Sequence, residues 1–279
     1  MNNRILLTEC PDDKGLIAKI TGVCFKHQYN IIKNDQFVSF EDNRFFMRTE
    51  LEGEFGNVSA FINEIKSVIP QGGIVNFVEQ RRKKVLILVT RESHVLGDLL
   101  MKSYSGALQM DIVGVIGNYD ILEDLTKRFD IPFVTVSHEG ISREEHEAKM
   151  LEAISKFQYD YVILAKYMRI LSPNFVNQFA KGTLINIHHS FLPAFIGAKP
   201  YQQAFDRGVK IIGATAHFVT NDLDEGPIIC QDVIKVSHNY SADAMARAGR
   251  DVERQVLNRA ISRVIDDKVF IHGNKTIVF

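Results

Sequence analysis

An amide, an imidazole and a carboxylate lie near the ends of apolar segments in the second half of the sequence. Asn186 and His188 alternate at the end of an apolar run that starts at Thr183, so both side chains face one side of a predicted strand. Asp224 lies in a predicted loop between two further apolar runs. These groups suffice to hydrate and break a small acyl group without a metal. Asn186 and His188 would donate to the developing oxyanion, and Asp224 would accept the proton of the attacking water.

The surroundings of these groups affect what they can do. An ordinary aspartate has a pKa of about 3.9 and is a weak base at neutral pH. We expect burial in an apolar-walled loop to raise the pKa of Asp224. His217, on the strand that leads to this loop, is expected to line the site or to orient the loop. His189 is expected to be structural, because alternation turns it away from His188.

The elements that position these residues form a repeating pattern from Val85 onward. Near-continuous apolar strands alternate with amphipathic helices, which predicts an α/β domain with a doubly wound, mostly parallel sheet. Polar residues at the carboxyl ends of such strands lie where open α/β sheets keep their binding crevice. A final helix is predicted over 241–265, and its charged positions are expected to face water: Arg247, Arg250, Asp251, Glu253 and Arg254.

Four stretches within this pattern resemble the formyltransferase fold that handles 10-formyltetrahydrofolate: 166–172, 185–188, 190–195, and 216–219 running into 224–226. The resemblance implies a pterin pocket with apolar walls and backbone groups for the ring edge. Arg169 could instead approach the glutamate tail or another carboxylate. The alternative for Met168, Ile170 and Leu171 is a plain core role. The positions that match the pocket are Met168, Arg169, Ile170, Leu171, Val176, Thr220, Asn221, Asp222 and Leu223.

The first 83 residues have a different pattern, β-α-β-β-α-β, which is the ferredoxin-like α+β arrangement. With the Pro-Asp-x-x-Gly turn before its first helix, this segment resembles the ACT regulatory module. The resemblance implies an amino-acid effector at Asp12, Gly15 and Asn30, often at a dimer interface. Capping by the aspartates and relaxation of the turn by Gly15 is the alternative. We predict two domains, 1–83 (ACT-like, regulatory) and 84–279 (formyltransferase fold, catalytic), with the basic run 80–84 as a solvated linker.

The acceptor of the formyl group separates the possible activities. Family members that act on a phosphorylated acceptor carry a glycine-rich loop after the first strand. Here the stretch 89–97 lacks Gly-x-Gly, and Glu92 would repel a phosphate. Such transferases usually have proline where this chain has His189, and they lack the fused ACT-like segment. The resemblance therefore implies hydrolysis to tetrahydrofolate and formate, which feeds formate to purine synthesis and balances one-carbon pools. Transfer to a non-phosphorylated amine and a non-catalytic folate-binding protein are the alternatives.

Composition narrows the class of protein further. The chain has 279 residues, 46% of them hydrophobic and 24% charged, with a formal net charge of −1, which gives no indication of nucleic-acid binding. No apolar run is long enough to span a membrane, and no signal peptide is expected. Three unpaired cysteines favour a cytoplasmic protein. We expect no metal and no prosthetic group, a folate substrate, an amino-acid effector such as glycine or methionine, and a homo-oligomer, either a dimer or a tetramer.

Overall fold

A computed structural model describes residues 2–194 and 200–279. Phe195, the last residue of one motif noted above, lies outside the described residues. The chain divides into two compact units. One runs to Arg81 and also contains Asp266–Phe270 and Ile277–Phe279, and the other consists of Arg82–Ile265 and Ile271–Thr276.

The first unit has the predicted β-α-β-β-α-β order. Its strands form an antiparallel sheet in the order β2-β3-β1-β4. The apolar stripes of its two helices supply Leu16, Ile20, Phe61 and Ile65 to the core of this unit. This is the ferredoxin-like arrangement predicted for the segment. The elements are β1 (Asn2–Pro11), α1 (Leu16–Lys26), β2 (Asn30–Ser39), β3 (Arg44–Gly53), α2 (Val58–Val68) and β4 (Ile74–Glu79).

A buried arginine joins the carboxyl-terminal segment to the rest of this unit. The Arg48 side chain is 1% exposed and donates to the backbone carbonyls of Asp266 and Asp267 at 2.8 and 2.9 Å. Its third contact is an ion pair with Glu50 at 2.6 Å. The guanidinium fork is therefore satisfied in a buried setting, as a buried charge requires.

The second unit begins with the alternating strands and helices predicted from Val85. After the last helix the chain ends in a two-stranded hairpin, β12 and β13, that the apolar pattern did not predict. The elements that follow β4 in the chain are β5 (Lys83–Val89), α3 (Ser93–Tyr104), β6 (Met110–Gly117), α4 (Glu123–Lys127), β7 (Phe133–Thr135), α5 (Arg143–Ser155), β8 (Tyr161–Ala165), α6 (Pro173–Val176), β9 (Leu184–His188), α7 (Pro200–Arg207), β10 (Ile211–Phe218), β11 (Ile228–Lys235), α8 (Ala242–Ile265), β12 (Val269–His272) and β13 (Lys275–Val278).

The main sheet of this unit has the order β11-β10-β9-β8-β5-β6-β7. Strands β9, β8, β5, β6 and β7 are parallel, whereas β10 runs antiparallel to both β9 and β11. The predicted mostly parallel α/β sheet is confirmed. Because β10 is antiparallel, the loop that follows it does not leave from the carboxyl edge of the parallel strands. It folds back toward the end of β9 instead, and this brings Asp224 close to His188.

The prediction of a solvated basic linker over 80–84 was wrong for its second half. Lys83 is 7% exposed and begins β5. The Arg82 guanidinium donates to the side chains of Asp111 and Gln109 and to the carbonyl of Met110. Arg82 and Lys83 are therefore held by contacts at the start of the α/β sheet.

Candidate active site

Two antiparallel neighbours position the first groups of the site. Asn186 on β9 lies directly opposite His217 on β10, and His188 lies opposite Thr215. Directly opposed residues in an antiparallel pair place their side chains within contact distance. The amide Nδ2 of Asn186 and the ring Nε2 of His217 are 3.2 Å apart. The strand register therefore couples the predicted amide to the histidine on the adjacent strand.

The proton on His217 follows from its surroundings. Burial lowers the pKa of His217, so the ring is neutral at pH 7 and carries one proton. Its Nδ1 lies 2.9 Å from the carbonyl oxygen of Phe218, so Nδ1–H donates there and Nε2 is left as an acceptor. Asn186 then donates one N–H to His217 and keeps its second N–H for a ligand. His217 therefore lines the cavity, which is one of its two expected roles, and it also orients Asn186.

Asp224 reaches the same place from a tight loop. It adopts a left-handed backbone conformation with φ of 58°, which aspartate tolerates better than most residues. Two residues later, a Cβ on Gly226 would lie 1.7 Å from the carbonyl oxygen of Phe218. Only glycine allows the loop to pack this closely against the end of β10. The Asp224 carboxylate lies 3.3 Å from His188 Nδ1 and 3.8 Å from His217 Nε2.

The expected rise in the pKa of Asp224 was wrong. Burial does raise the pKa of this carboxyl, but the hydrogen bond from His188 and the charges of the nearby imidazoles outweigh it, and the pKa lies below its ordinary value. Asp224 is therefore a carboxylate throughout the neutral range. Its negative charge faces His188 Nδ1, and it is not a strong base by itself.

His188 presents one free nitrogen to the site. Its Nδ1 faces the Asp224 carboxylate, whereas its Nε2 is buried with no hydrogen-bond partner among the described residues. Buried polar atoms without partners are rare in folded proteins and call for an explanation. A ring that gives Nδ1–H to the carboxylate can donate from Nε2 only as the imidazolium. In that form His188 is a charged donor aimed at a ligand atom.

One cavity of about 270 Å³ brings the predicted residues together. Three apolar side chains at the cavity, Met168, Ile170 and Leu223, are 52%, 60% and 48% exposed, and exposed apolar groups around a concave site are typical of ligand binding. The cavity is lined by all three predicted catalytic residues, by His217 and by every predicted pterin position: Asn186, His188, Asp224, His217, Met168, Arg169, Ile170, Leu171, Val176, Thr220, Asn221, Asp222 and Leu223.

Thr90 and Glu147, which lie outside the motifs, bind the backbone of the loop 166–172, which carries four of the predicted pterin positions. The Thr90 hydroxyl accepts the backbone N–H of Met168 at 2.9 Å. The Glu147 carboxylate accepts the backbone N–H of Ser172 at 2.8 Å and also the Ser172 hydroxyl. Glu147 is 8% exposed although it lies on a helix whose sequence is mainly polar. Sequence reasoning missed both residues, because their partners are far away in the chain.

A buried charge cluster lies beside the cavity. Glu253, predicted to face water, is 0% exposed, so that prediction was wrong. Its carboxylate contacts Lys166 Nζ at 3.3 Å, His94 Nε2 at 2.8 Å and the Tyr201 hydroxyl at 2.7 Å. Glu92 lies 3.7 Å from the same ammonium group. Burial raises the pKa of Glu253, but these partners outweigh it and hold the pKa at about 2.

His189 is not on the opposite side of the sheet from His188, as alternation suggested. The strand ends at His188, so the two-residue period no longer applies to the next residue. His189 lines the 270 Å³ cavity and also a smaller apolar cavity of about 100 Å³. The ring centroids of the two histidines are 5.3 Å apart.

The predicted effector positions do not lie together within one chain. Asp12 follows the carboxyl end of β1 and donates its backbone N–H to the Asn43 carbonyl, and Gly15 begins α1 with φ of 80°. Asn30 instead aligns through Glu52 with Asn3, at the opposite end of β1. The strand between the two ends is about 25 Å long at 3.3 Å per residue.

Among residues 2–194 and 200–279, no group of three or more His, Cys, Asp or Glu side chains is arranged to hold a metal ion. The same ranges contain no helix long and apolar enough to cross a bilayer.

Comparison with known proteins gives a consistent result. The Formyl transferase family matches residues 83–261, and the ACT domain family matches residues 4–69. Formyltetrahydrofolate deformylase of Haemophilus influenzae is 56% identical over 100% of this chain and 99% of its own length. The Bacillus subtilis protein of the same name is 42% identical over 98% of this chain and 93% of its own length.

Solved structures agree with the sequence matches. A formyltetrahydrofolate deformylase from Pseudomonas syringae pv. tomato superposes with a TM-score of 0.94 at 38% identity, covering 100% of this chain and 95% of that one. Glycinamide ribonucleotide transformylase 1 from Symbiobacterium toebii superposes with a TM-score of 0.68 at 26% identity, covering 75% of this chain and 99% of that one. This chain belongs to the formyltetrahydrofolate deformylase family, with an ACT domain followed by a formyl transferase domain.

Proposed function

We propose that this protein hydrolyses 10-formyltetrahydrofolate to tetrahydrofolate and formate. The observation that carries the proposal is the buried Nε2 of His188, which has no partner among residues 2–194 and 200–279. It lies beside the Asp224 carboxylate, in a cavity lined by the predicted pterin positions. Full-length relatives named formyltetrahydrofolate deformylase support the choice of substrate. The substrate is a formylated folate, and the groups that act on it are the side chains of Asn186, His188 and Asp224.

The reaction has two stages. The oxygen of water bonds to the formyl carbon, and the carbonyl π electrons move onto the formyl oxygen. The free N–H of Asn186 and Nε2–H of His188 stabilise that oxyanion, each donor contributing on the order of 3 kcal/mol in a preorganised site. The C–N bond to N10 then breaks, N10 takes the proton that Asp224 carries, and formic acid leaves and gives up its remaining proton to solvent as formate.

Asp224 passes the proton in this scheme. Its pKa lies below the ordinary value, so it is too weak a base to deprotonate free water. The adduct hydroxyl is far more acidic as the C–O bond forms, because attack makes the water oxygen cationic. A carboxylate can accept that proton and return it to N10, the more basic site once the C–N bond is breaking.

Replacement of Asp224 by Asn tests the enzyme against a binding protein. Asp224→Asn removes the proton carrier and the negative charge beside His188. We expect kcat to fall by at least about 100-fold, whereas tetrahydrofolate, measured by isothermal titration calorimetry, still binds. Asp206→Asn, on the exposed side of α7, is the matched control. Equal turnover by Asp224→Asn and wild type would overturn the mechanism.

Transfer to a non-phosphorylated amine is the second candidate. The structural similarity to glycinamide ribonucleotide transformylase 1 favours formyl transfer, and Glu92 disfavours a phosphorylated acceptor. The two activities differ in what an added amine does. A hydrolase releases formate at full rate without an acceptor. A transferase turns over only when amines such as amino sugars are added, and it then yields the N-formyl product.

We also propose that residues 1–83 form a regulatory domain and residues 84–279 a catalytic one, with an amino acid as effector. Asp12 and Gly15 lie at one end of the first sheet and Asn30 at the other. A site that uses both ends therefore takes a second copy of the chain, which fits a dimer or a tetramer.

Thermal melts of the full chain with glycine or methionine test this proposal. A ligand at 100 times its Kd stabilises a protein by about 2.7 kcal/mol, so the melting temperature of the first unit should rise by about 10–20 °C. Light scattering after size exclusion gives the oligomeric state. A monomer whose melting is unchanged by either amino acid would contradict the sensor role.

A further inference from the structure

His189 is the histidine of the cavity whose ring nitrogens have no hydrogen-bond partner among the described residues. Of its two neighbours, His217 uses both ring nitrogens, with Phe218 and Asn186. His188 uses Nδ1 with Asp224. The ring contacts of His189 are with His188 and with Tyr201, whose ring centroid is 6.0 Å away. An imidazole without protein partners at a cavity wall is free to bond to a ligand or to water.

The charges that face His189 come from several elements. Lys166 follows β8, Glu253 lies on α8, and His188 and Asp224 belong to the site itself. Burial is the largest influence on His189, the ammonium of Lys166 adds to it, and together they lower its pKa to about 4. His189 is therefore an uncharged ring at neutral pH, with one nitrogen that accepts and one that donates.

Two adjacent imidazoles thus differ in their surroundings. His188 Nδ1 lies 3.3 Å from a carboxylate, whereas His189 lies near an ammonium and keeps an acceptor nitrogen.

The attacking water needs an acceptor of this kind. It must be held with a lone pair toward the formyl carbon, and one of its hydrogens has to be bonded elsewhere. One hydrogen of that water faces Asp224, which accepts its proton in the proposed hydrolysis, and the nitrogens of His217 are both occupied. Among the described imidazoles of the cavity, His189 is left to provide that bond.

We propose that His189 is a further catalytic residue, which holds the attacking water by accepting a hydrogen bond from it. This role rests on the proposed hydrolysis. The water oxygen bonds to the formyl carbon, one of its protons passes to Asp224 and then to N10 as the C–N bond breaks, the other leaves with formic acid, and His189 stays uncharged. The ammonium of Lys166 favours that uncharged state.

The test compares two nucleophiles on the same full-length enzyme. Hydrolysis is followed by formate release. Hydroxylamine, supplied at high concentration, attacks the same formyl group without a positioned water and gives N-hydroxyformamide, which is measured by its ferric complex. The variants are His189→Ala and His189→Gln, whose amide oxygen can accept a hydrogen bond. His238→Ala, at an exposed position after β11, is the matched control.

We expect His189→Ala to lower kcat for hydrolysis by about 100-fold. The rate with hydroxylamine should change by less than about threefold, since the oxyanion donors and the folate cavity are intact. His189→Gln should regain about tenfold of the lost hydrolysis, because it restores an acceptor.

Two results would overturn the role of His189 alone. One is hydrolysis by His189→Ala at the wild-type rate. The other is an equal loss with both nucleophiles, which would mean that His189 shapes the cavity and does not hold water. Wild-type enzyme that releases no formate at all would instead overturn the proposed function, and the role of His189 with it.

Discussion

Replacement of Glu253 by Gln tests how far the buried charge cluster stabilises the catalytic unit. Glutamine keeps the size of the side chain and can still bond to the Tyr201 hydroxyl and to His94. It removes the charge that faces Lys166 at 3.3 Å. Lys166, which is 4% exposed, then keeps Glu92 at 3.7 Å as its one ion-pair partner in the described part of the chain. Breaking one side of a buried ion pair is strongly destabilising because the remaining charge stays buried.

The pKa of Glu253 gives the magnitude and its pH dependence. The pKa falls from 4.5 to about 2 on folding, and at about 1.4 kcal/mol per pH unit this shift corresponds to roughly 3 kcal/mol. Because the folded-state pKa is depressed, the contribution is fully present above about pH 4.5. It is lost progressively as the pH falls from there toward 2. Glu253→Gln should therefore be destabilised at pH 7 and converge with wild type in acid.

Differential scanning calorimetry from pH 7 down to pH 3.5 measures the effect. A loss of about 3 kcal/mol should lower the melting temperature of the catalytic unit by about 6–12 °C at pH 7. Glu144→Gln, on the exposed surface of α5, controls for the loss of one carboxylate. If Glu253→Gln melts within a degree or two of wild type at pH 7, the cluster contributes little and the reasoning is refuted.

Three further predictions concern the oxyanion donors, the pterin loop and the ACT domain. Asn186→Ala should lower kcat by about 100- to 1,000-fold with little change in tetrahydrofolate affinity, measured by steady-state kinetics and calorimetry. Glu147→Gln should raise KM more than it lowers kcat, because it loosens the backbone of Ser172 and the loop before it. Arg48→Met should cost about 2–4 kcal/mol in urea unfolding monitored by circular dichroism, because the carbonyls that Arg48 binds lose buried donors.

Each of these has its own contrary result. Asn186→Ala with wild-type kcat would remove the amide from the oxyanion site. A pure kcat effect in Glu147→Gln would mean that the loop acts in chemistry and not in binding. Unchanged unfolding of Arg48→Met would mean that water replaces the guanidinium at the carboxyl-terminal carbonyls.

Much of the fold could be predicted from the sequence because its signals are local. Apolar strands from Val85 onward indicate a parallel sheet wherever they alternate with helices, and the spacing of Leu16 and Ile20 indicates a helix with one apolar face. The C-terminal hairpin has only short strands and polar turns, so no periodic signal marks it. The prediction of a solvated linker at the basic run 80–84 was partly wrong for a related reason, because the partners of Arg82 are residues 109–111, which are distant in the sequence.

The limits of prediction at the site have a similar cause. Alternation along β9 predicts that Asn186 and His188 share one face, and the family motifs predict that Asp224 belongs to the same site. The same rule failed at His189, because it holds only while the strand continues. Glu253 was assigned to water because a helix pattern shows charge but not the buried Lys166 that meets it. The pKa of Asp224 depends on whether burial, which raises it, or the nearby imidazoles, which lower it, have the larger effect. Only the distances to His188 and His217 decide that.

The most direct test of the proposed hydrolysis is turnover of 10-formyltetrahydrofolate in ¹⁸O-labelled water with no acceptor present. Formate is analysed by mass spectrometry, and tetrahydrofolate by its absorbance. If water attacks the formyl carbon, each formate should carry one labelled oxygen and appear in equal amount with tetrahydrofolate. Absence of formate while tetrahydrofolate still binds, or formate without the label, would contradict the hydrolysis assigned to Asn186, His188 and Asp224.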